Sequence, residues 1–300
     1  MVSITLKNVQ LENGETLFYR EREGGTKKVL LIHGNMTSSK HWDLVLENLD
    51  AEYKLYALDL RGFGSSSYHS LIQSIKDFSD DVKLFVDRIG LTDFAVAGWS
   101  TGGAVAMQFA ADYPGYCNKL ILLASASTRG YPYDGKMSEQ DEVRRLTSYD
   151  EIKKDMIRTI PIQAAYDTNN VELLKVIWNA VIYTKNQPSP ELYDEYVQDM
   201  LTQRNLAEVY HCNNTFNISH HHNGLVEGNG LVDKIDVPVL VLRGDRDLVI
   251  SDEMTNELVQ DLGEKAIFVE LKDCGHSPLV DDLPQLLIEM TQFLSTEVYQ

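Results

Sequence analysis

The sequence has no run of about 18 consecutive apolar residues, the length that a membrane-spanning helix requires. The stretch Met1–Gln10 lacks the apolar centre of a secretory leader and reads as an alternating strand. Cysteine is scarce. Cys117, Cys212 and Cys274 are odd in number and widely spaced, which excludes a disulfide framework and a cysteine metal motif. A reducing, cytoplasmic setting is the expectation, with Cys274 as a small packing residue. Positive charge is also in short supply. There are 27 Lys and Arg against 45 Asp and Glu, a formal net charge of −18. Partners that bind through basic surfaces, nucleic acid and anionic membrane, are therefore excluded. No repeat or low-complexity segment occurs, and nothing in the sequence fixes an oligomeric state.

What the chain does have is enough apolar content, 43% of 300 residues, for one large α/β core with an inserted subdomain. Residues 3–9 and 15–21 read as a hairpin around Glu12-Asn13-Gly14. Strands and helices then alternate: strand 28–33, helix 41–49, strand 53–58, helix 77–89, strand 93–97, helix 102–112, strand 119–124. After a long interval come strand 238–243, helix 252–262 between Ser251 and Gly263, strand 266–271 and helix 284–294. In the last helix Leu287, Met290 and Leu294 form the inward stripe. Such alternation implies a mostly parallel sheet with helices on both faces, eight strands in all.

The densest signal is Ala97-Gly98-Trp99-Ser100-Thr101-Gly102-Gly103. An apolar strand precedes it and a helix pattern follows. A serine on so sharp a strand-to-helix turn is strained and exposed, and glycines two residues to either side leave room for neighbouring backbone. The adjacent helix N-terminus favours a developing oxyanion. A serine hydroxyl needs a base, and the base needs an orienting acid, expected in the order Ser, Asp or Glu, His. Strand 238–243 runs into Gly244-Asp245-Arg246-Asp247. Strand 266–271 runs into Asp273-Cys274-Gly275-His276-Ser277-Pro278. Both loops follow the carboxyl ends of strands, where ligands bind in open α/β sheets. His276 is the base candidate; on position alone, Asp245 and Asp247 are both open as the acid.

Together these segments resemble the α/β-hydrolase superfamily, in the serine esterase and lactonase-like branch that carries a helical cap. Further matches are Leu31-Ile32-His33-Gly34-Asn35, similar to the family's oxyanion loop, and Asp59-Leu60-Arg61-Gly62-Phe63-Gly64-Ser65-Ser66, similar to its Asp-x-Arg-Gly-x-Gly-x-Ser loop. The resemblance implies Ser100 as nucleophile, His276 as base and Asp247 as acid. It also implies an oxyanion hole from the backbone N–H groups of Thr101 and Asn35. Relatives often carry a bulky apolar residue at position 35, so Asn35 departs from the pattern and is expected to cap the following turn or to add a polar contact to substrate. No cofactor is implied. Epoxide hydrolases and dehalogenases of this fold place Asp at the elbow, so Ser100 argues against both.

The expected division is core residues 1–125, a helical cap over 126–236, and core residues 237–300. Within the cap, Ser148-Tyr149-Asp150-Glu151 fits a capping box ahead of Ile152, Met156 and Ile160. Further helices are expected at 171–178 and after Ser189-Pro190, and no strand. Tyr131, Tyr133, Met156, Ile160, Ile177, Trp178, Tyr183, Tyr193, Tyr196 and Met200 are expected mostly to pack within the cap. Together they favour an apolar pocket, with Trp99, Met36, Tyr131 and Trp178 as its candidate lining. His220-His221-His222 reads as a solvated loop, and no metal is expected. The expected activity is hydrolysis of a small-to-medium apolar carboxylic ester or lactone. Thioester, amide or carbon–carbon hydrolysis, perhydrolysis, and a ligand receptor built on a hydrolase scaffold are the rivals.

Overall fold

Residues 3–296 are described by a computed structural model of the chain, so Met1 and Val2 of the expected N-terminal strand lie outside the described residues. β1 (Ile4–Gln10) and β2 (Thr16–Arg22) form an antiparallel hairpin, followed by β3 (Lys27–Ile32), α1 (Asp43–Asn48) and β4 (Tyr53–Leu58). A short 3₁₀ turn at Ser39–Trp42 replaces the first part of the helix expected over 41–49. Next come α2 (Ile75–Ile89), β5 (Phe94–Trp99), α3 (Thr101–Asp112) and β6 (Cys117–Leu123). α2 begins two residues earlier than its apolar spacing predicts because Ser74 and Asp77 form a capping box.

The segment that follows β6 departs most from expectation. It opens with a two-residue antiparallel pair, β7 (Asp134–Gly135) and β8 (Arg144–Arg145), where no strand was expected. The capping box at Ser148 forms, but α4 spans only Tyr149–Lys153. A second helix, α5 (Thr159–Asp167), starts after a break at Asp155, whose carboxylate accepts the N–H groups of Arg158 (2.8 Å) and Ile157 (3.2 Å). The break turns Met156 and Ile160 outward, 39% and 46% exposed, so neither packs as expected. α6 (Val171–Val181), α7 (Pro190–Met200) and α8 (Leu206–Thr215) complete the segment. β9 (Val239–Gly244), α9 (Asp252–Leu262), β10 (Ala266–Leu271), α10 (Pro278–Asp281) and α11 (Leu283–Ser295) close the chain. Ser251 caps α9, and in α11 the fully buried positions are Leu286, Met290, Phe293 and Leu294, with Leu287 at the margin.

The eight-stranded sheet has the order β1-β2-β4-β3-β5-β6-β9-β10, antiparallel only at β1/β2 and β2/β4. The interior strands are apolar on both faces because helices cover both; Leu30, Leu31 and Ile32 of β3 are all fully buried. Chain order reverses at β3, which has β4 on one side and β5 on the other. Loops after β3 and β5 therefore diverge over the two faces and leave a crevice at the strands' carboxyl ends. The sequence Gly34-Asn35 and the residue Ser100 lie at that point.

Candidate active site

Ser100 sits between β5 and α3 with φ 56° and ψ −120°, a conformation that L-residues rarely adopt. A Cβ at Gly98 would run into the carbonyl of Gly102, and one at Gly102 into the carbonyls of Ile32 and His33. That crowding is why this turn needs glycine two residues to either side of the serine. Strand pairing and the Ser100 N–H bond to Leu123 O (3.0 Å) hold the turn against the sheet.

The Asp-His part of the site is assembled from two distant loops. His276 Nδ1 lies 3.0 Å from Asp247 Oδ2 and 3.2 Å from Oδ1. Asp247 Oδ1 also accepts the N–H groups of Val249 (2.8 Å) and Ile250 (3.0 Å). Burial pushes the Asp247 carboxyl up, but the nearby imidazole and these N–H donors outweigh it and hold it below the usual carboxylate range. Asp245 is exposed, and the carboxylate on His276 Nδ1 is that of Asp247. The His276 loop is braced on both sides: Trp99 Nε1 donates to His276 O (2.9 Å), and Gly275 N–H donates to Asp281 Oδ2 (2.6 Å). Ser100 Oγ and His276 border the same cavity without a hydrogen bond between them.

His33 organises the opposite wall. Its Nε2 accepts the N–H of Leu60 (3.0 Å), so its proton is on Nδ1, facing Gly34 O at 2.7 Å. Full burial pushes this imidazole down to about 4, keeping it neutral. Asp59 ties the next loop by accepting the N–H groups of Ser39 and Ser65, both at 2.9 Å. Thus the Asp59–Ser66 loop braces the loop after β3. The Asn35 side chain does not cap its own turn: its Oδ1 accepts Gln203 Nε2 (2.8 Å) from beyond α7. Gln203 Oε1 accepts Met36 N–H (3.2 Å) and Tyr166 OH (3.2 Å). Met36 itself has φ 59°, a strained conformation for a non-glycine residue. Across the site, Asn213 Nδ2 donates to Thr101 Oγ1 (2.9 Å) and Val209 O (3.0 Å). Gln203 and Asn213, which the sequence reading missed, thus clamp the two loops beside Ser100. The N–H groups of Asn35 and Thr101 have no hydrogen-bond partner among the described residues.

These groups surround a cavity of about 390 Å³. Each expected lining residue, Trp99, Met36, Tyr131 and Trp178, borders it, together with Ile162, Val181, Leu248 and others. Arg158 and Tyr210 also border it and were not anticipated. The three cysteines are free and buried, and burial pushes the Cys274 thiol up to about 12. His220, His221 and His222 are exposed; His220 faces Asp233 at 2.9 Å. No group of three or more metal-ligating side chains is brought together among the described residues, and no helix there is long and apolar enough to cross a membrane.

A mostly parallel eight-stranded sheet, helices on both faces and a strained serine at a strand-to-helix turn define a hydrolase-type α/β scaffold. The family model described as "alpha/beta hydrolase fold" matches residues 27–283, and the chain belongs to that family. Lipase 3 of Moraxella sp. is 26% identical over 290 residues, covering 93% of this chain and 81% of the lipase. A 2-hydroxy-6-oxononadienedioate/2-hydroxy-6-oxononatrienedioate hydrolase of Paraburkholderia phymatum is 25% identical over 273 residues, covering 89% and 87%. The structure of an esterase from Exiguobacterium antarcticum superposes with a TM-score of 0.73 at 16% identity, covering 97% of this chain and all of that one. The chain is an esterase- and lipase-like α/β hydrolase.

Proposed function

We propose that the chain hydrolyses small-to-medium apolar carboxylic esters or lactones through an acyl-enzyme intermediate. The observation that carries this reading is that Ser100, His276 and the unbonded N–H groups of Asn35 and Thr101 border one cavity. In the proposed reaction Ser100 Oγ attacks the ester carbonyl while His276 Nε2 takes the hydroxyl proton. Asp247 holds the other ring nitrogen and stabilises the imidazolium. The N–H groups of Asn35 and Thr101 receive the oxyanion. The tetrahedral adduct collapses, the C–O bond to the alcohol breaks, and His276 returns its proton to the departing oxygen. Water, deprotonated by the same imidazole, then cleaves the acyl-serine bond to give the carboxylic acid and restore Ser100.

Residues 126–236 act in this proposal as a cap between core residues 1–125 and 237–300, supplying Tyr131, Ile162 and Trp178 to the pocket. The free cysteines support a reducing, cytoplasmic setting. The test is proton release on aliphatic esters, aryl esters and lactones of graded chain length, with Ser100→Ala as the blank. Turnover of one size class, lost in the variant, is expected. A second reading, carbon–carbon hydrolysis by the same residues, rests on the similarity to the Paraburkholderia hydrolase. Absence of turnover across the whole ester and lactone panel would transfer the proposal to that reading.

A further inference from the structure

Away from Ser100, His276 and the loops that flank them, the cavity is mostly apolar, with one permanently charged side chain in its wall. Among its lining residues there is one Arg, Arg158, and no Asp, Glu or Lys. Its guanidinium carbon lies 4.1 Å from the centre of the Tyr133 ring, and Nη2 donates to Asp134 O at 2.7 Å. No carboxylate among the described residues forms an ion pair with it. The chain does not lack acids, having 45. The nearest in sequence, Asp155, is engaged by Tyr133 OH (2.8 Å) and the N–H groups of Lys136 and Arg158. Most of the five N–H donors of the guanidinium are therefore unused. Its place over the Tyr133 ring holds the guanidinium without neutralising it. Beside it, the Tyr131 hydroxyl lies within hydrogen-bonding reach of the guanidinium, the Tyr210 hydroxyl forms no hydrogen bond among the described residues, and both phenols feel its charge.

A purely structural arginine would need only the ring and the Asp134 carbonyl. A cation left unpaired against an apolar cavity is instead complementary to an anion that arrives with the substrate. A planar fork fits a carboxylate with two parallel N–H···O bonds. Resting on the hydrolase reading above, we propose that Arg158 is a specificity-determining residue: the substrate is an ester or lactone carrying one carboxylate away from the scissile carbonyl. Tyr131 and Tyr210 offer that carboxylate two further O–H donors. The net charge of −18 opposes the long-range approach of polyanions, so a substrate with a single anionic group fits best.

The test compares monomethyl esters of succinate through suberate with methyl esters of monocarboxylic acids of matched length, followed by proton release. Wild type, Arg158→Gln and Arg158→Lys are measured. In wild type, kcat/KM is expected to favour the carboxylate-bearing series at one chain length. The ratio between the two series is expected to fall about tenfold or more in Arg158→Gln and to recover in part in Arg158→Lys, as befits loss of charge-assisted hydrogen bonds. Thermal melting of each variant guards against a folding defect. An equal ratio in wild type and Arg158→Gln overturns the proposal and leaves the hydrolase reading standing. If wild type turns over neither series, the ester reading fails for these substrates, and calorimetric titration of glutarate decides the anion site. Binding to Ser100→Ala that is lost on adding Arg158→Gln supports it; no binding to Ser100→Ala overturns it.

Discussion

Asp245 and Asp247 lie two residues apart after the same strand, yet their surroundings are opposite. The turn closed by Asp247 N–H on Gly244 O (3.2 Å) points Asp245 outward and folds Asp247 under the His276 ring. Spacing after a strand could not separate them, because both satisfy it; the resemblance to the family pointed to Asp247, and the geometry places that residue against the imidazole. Asp247→Asn is expected to lower kcat by roughly a thousandfold or more, since the amide favours the wrong imidazole tautomer. Asp245→Asn should leave it within a factor of about two. Ester turnover of the two variants decides the matter, and the reverse order would remove Asp247 from the proposed triad. Arg158, Gln203 and Asn213 were illegible for a different reason. Each gains its role from partners that are distant in sequence or from the cavity itself. Gln203 meets Asn35 across 168 positions, and no local pattern announces such a meeting.

At the level of elements, the strands were readable because burial on both faces leaves short continuous apolar runs, as in Val29–Ile32 and Val239–Leu242. The segment between β6 and β9 was less readable. β7 and β8 pair through only two residues each, too few to show alternation. α8 carries Asn213 and Asn214 on buried positions, which breaks the apolar stripe that would have marked it. These same polar exceptions tie the segment to the site. Gln203 holds the Met36 N–H and the Asn35 side chain, so the loop after β3 owes its placement to an element more than a hundred residues later. Gln203→Leu leaves a buried N–H and hydroxyl without partners, a cost of about 1–3 kcal/mol. It is expected to lower kcat by roughly tenfold, less than loss of a direct oxyanion donor, with KM little changed. Steady-state kinetics beside a melting curve checks this. A lowered melting temperature with unaltered kcat would make Gln203 a structural tie and nothing more.

For the whole molecule, acid stability follows from groups whose folded and unfolded pKa values differ. His33 is the clearest. Burial holds its folded value at about 4 against an ordinary 6.5. Above pH 6.5 neither state binds the proton, so the group is neutral to stability there. Between pH 6.5 and 4 the unfolded chain is protonated and the folded one is not. Stability therefore drops as the solution is acidified through that window, by about 3 kcal/mol in full. His211, also lowered by burial, adds in the same direction. Asp247, depressed below its ordinary 3.8, keeps its contribution through this range and loses it only at lower pH. Asp59 and Asp81 oppose the trend, because burial raises their pKa values and the folded state takes up protons earlier. The approach to the isoelectric point near 4.8 also relieves repulsion among excess negative charges. The wild-type curve is thus a sum of opposed slopes, and the difference from His33→Asn isolates the imidazole. The variant has a lower plateau at neutral pH, because the Leu60 N–H bond is disturbed. Its stability, measured by urea unfolding from pH 7.5 to 4.5, is expected to fall less steeply than that of wild type. Parallel curves would mean that the folded and unfolded states take up the His33 proton alike, against a value lowered by burial.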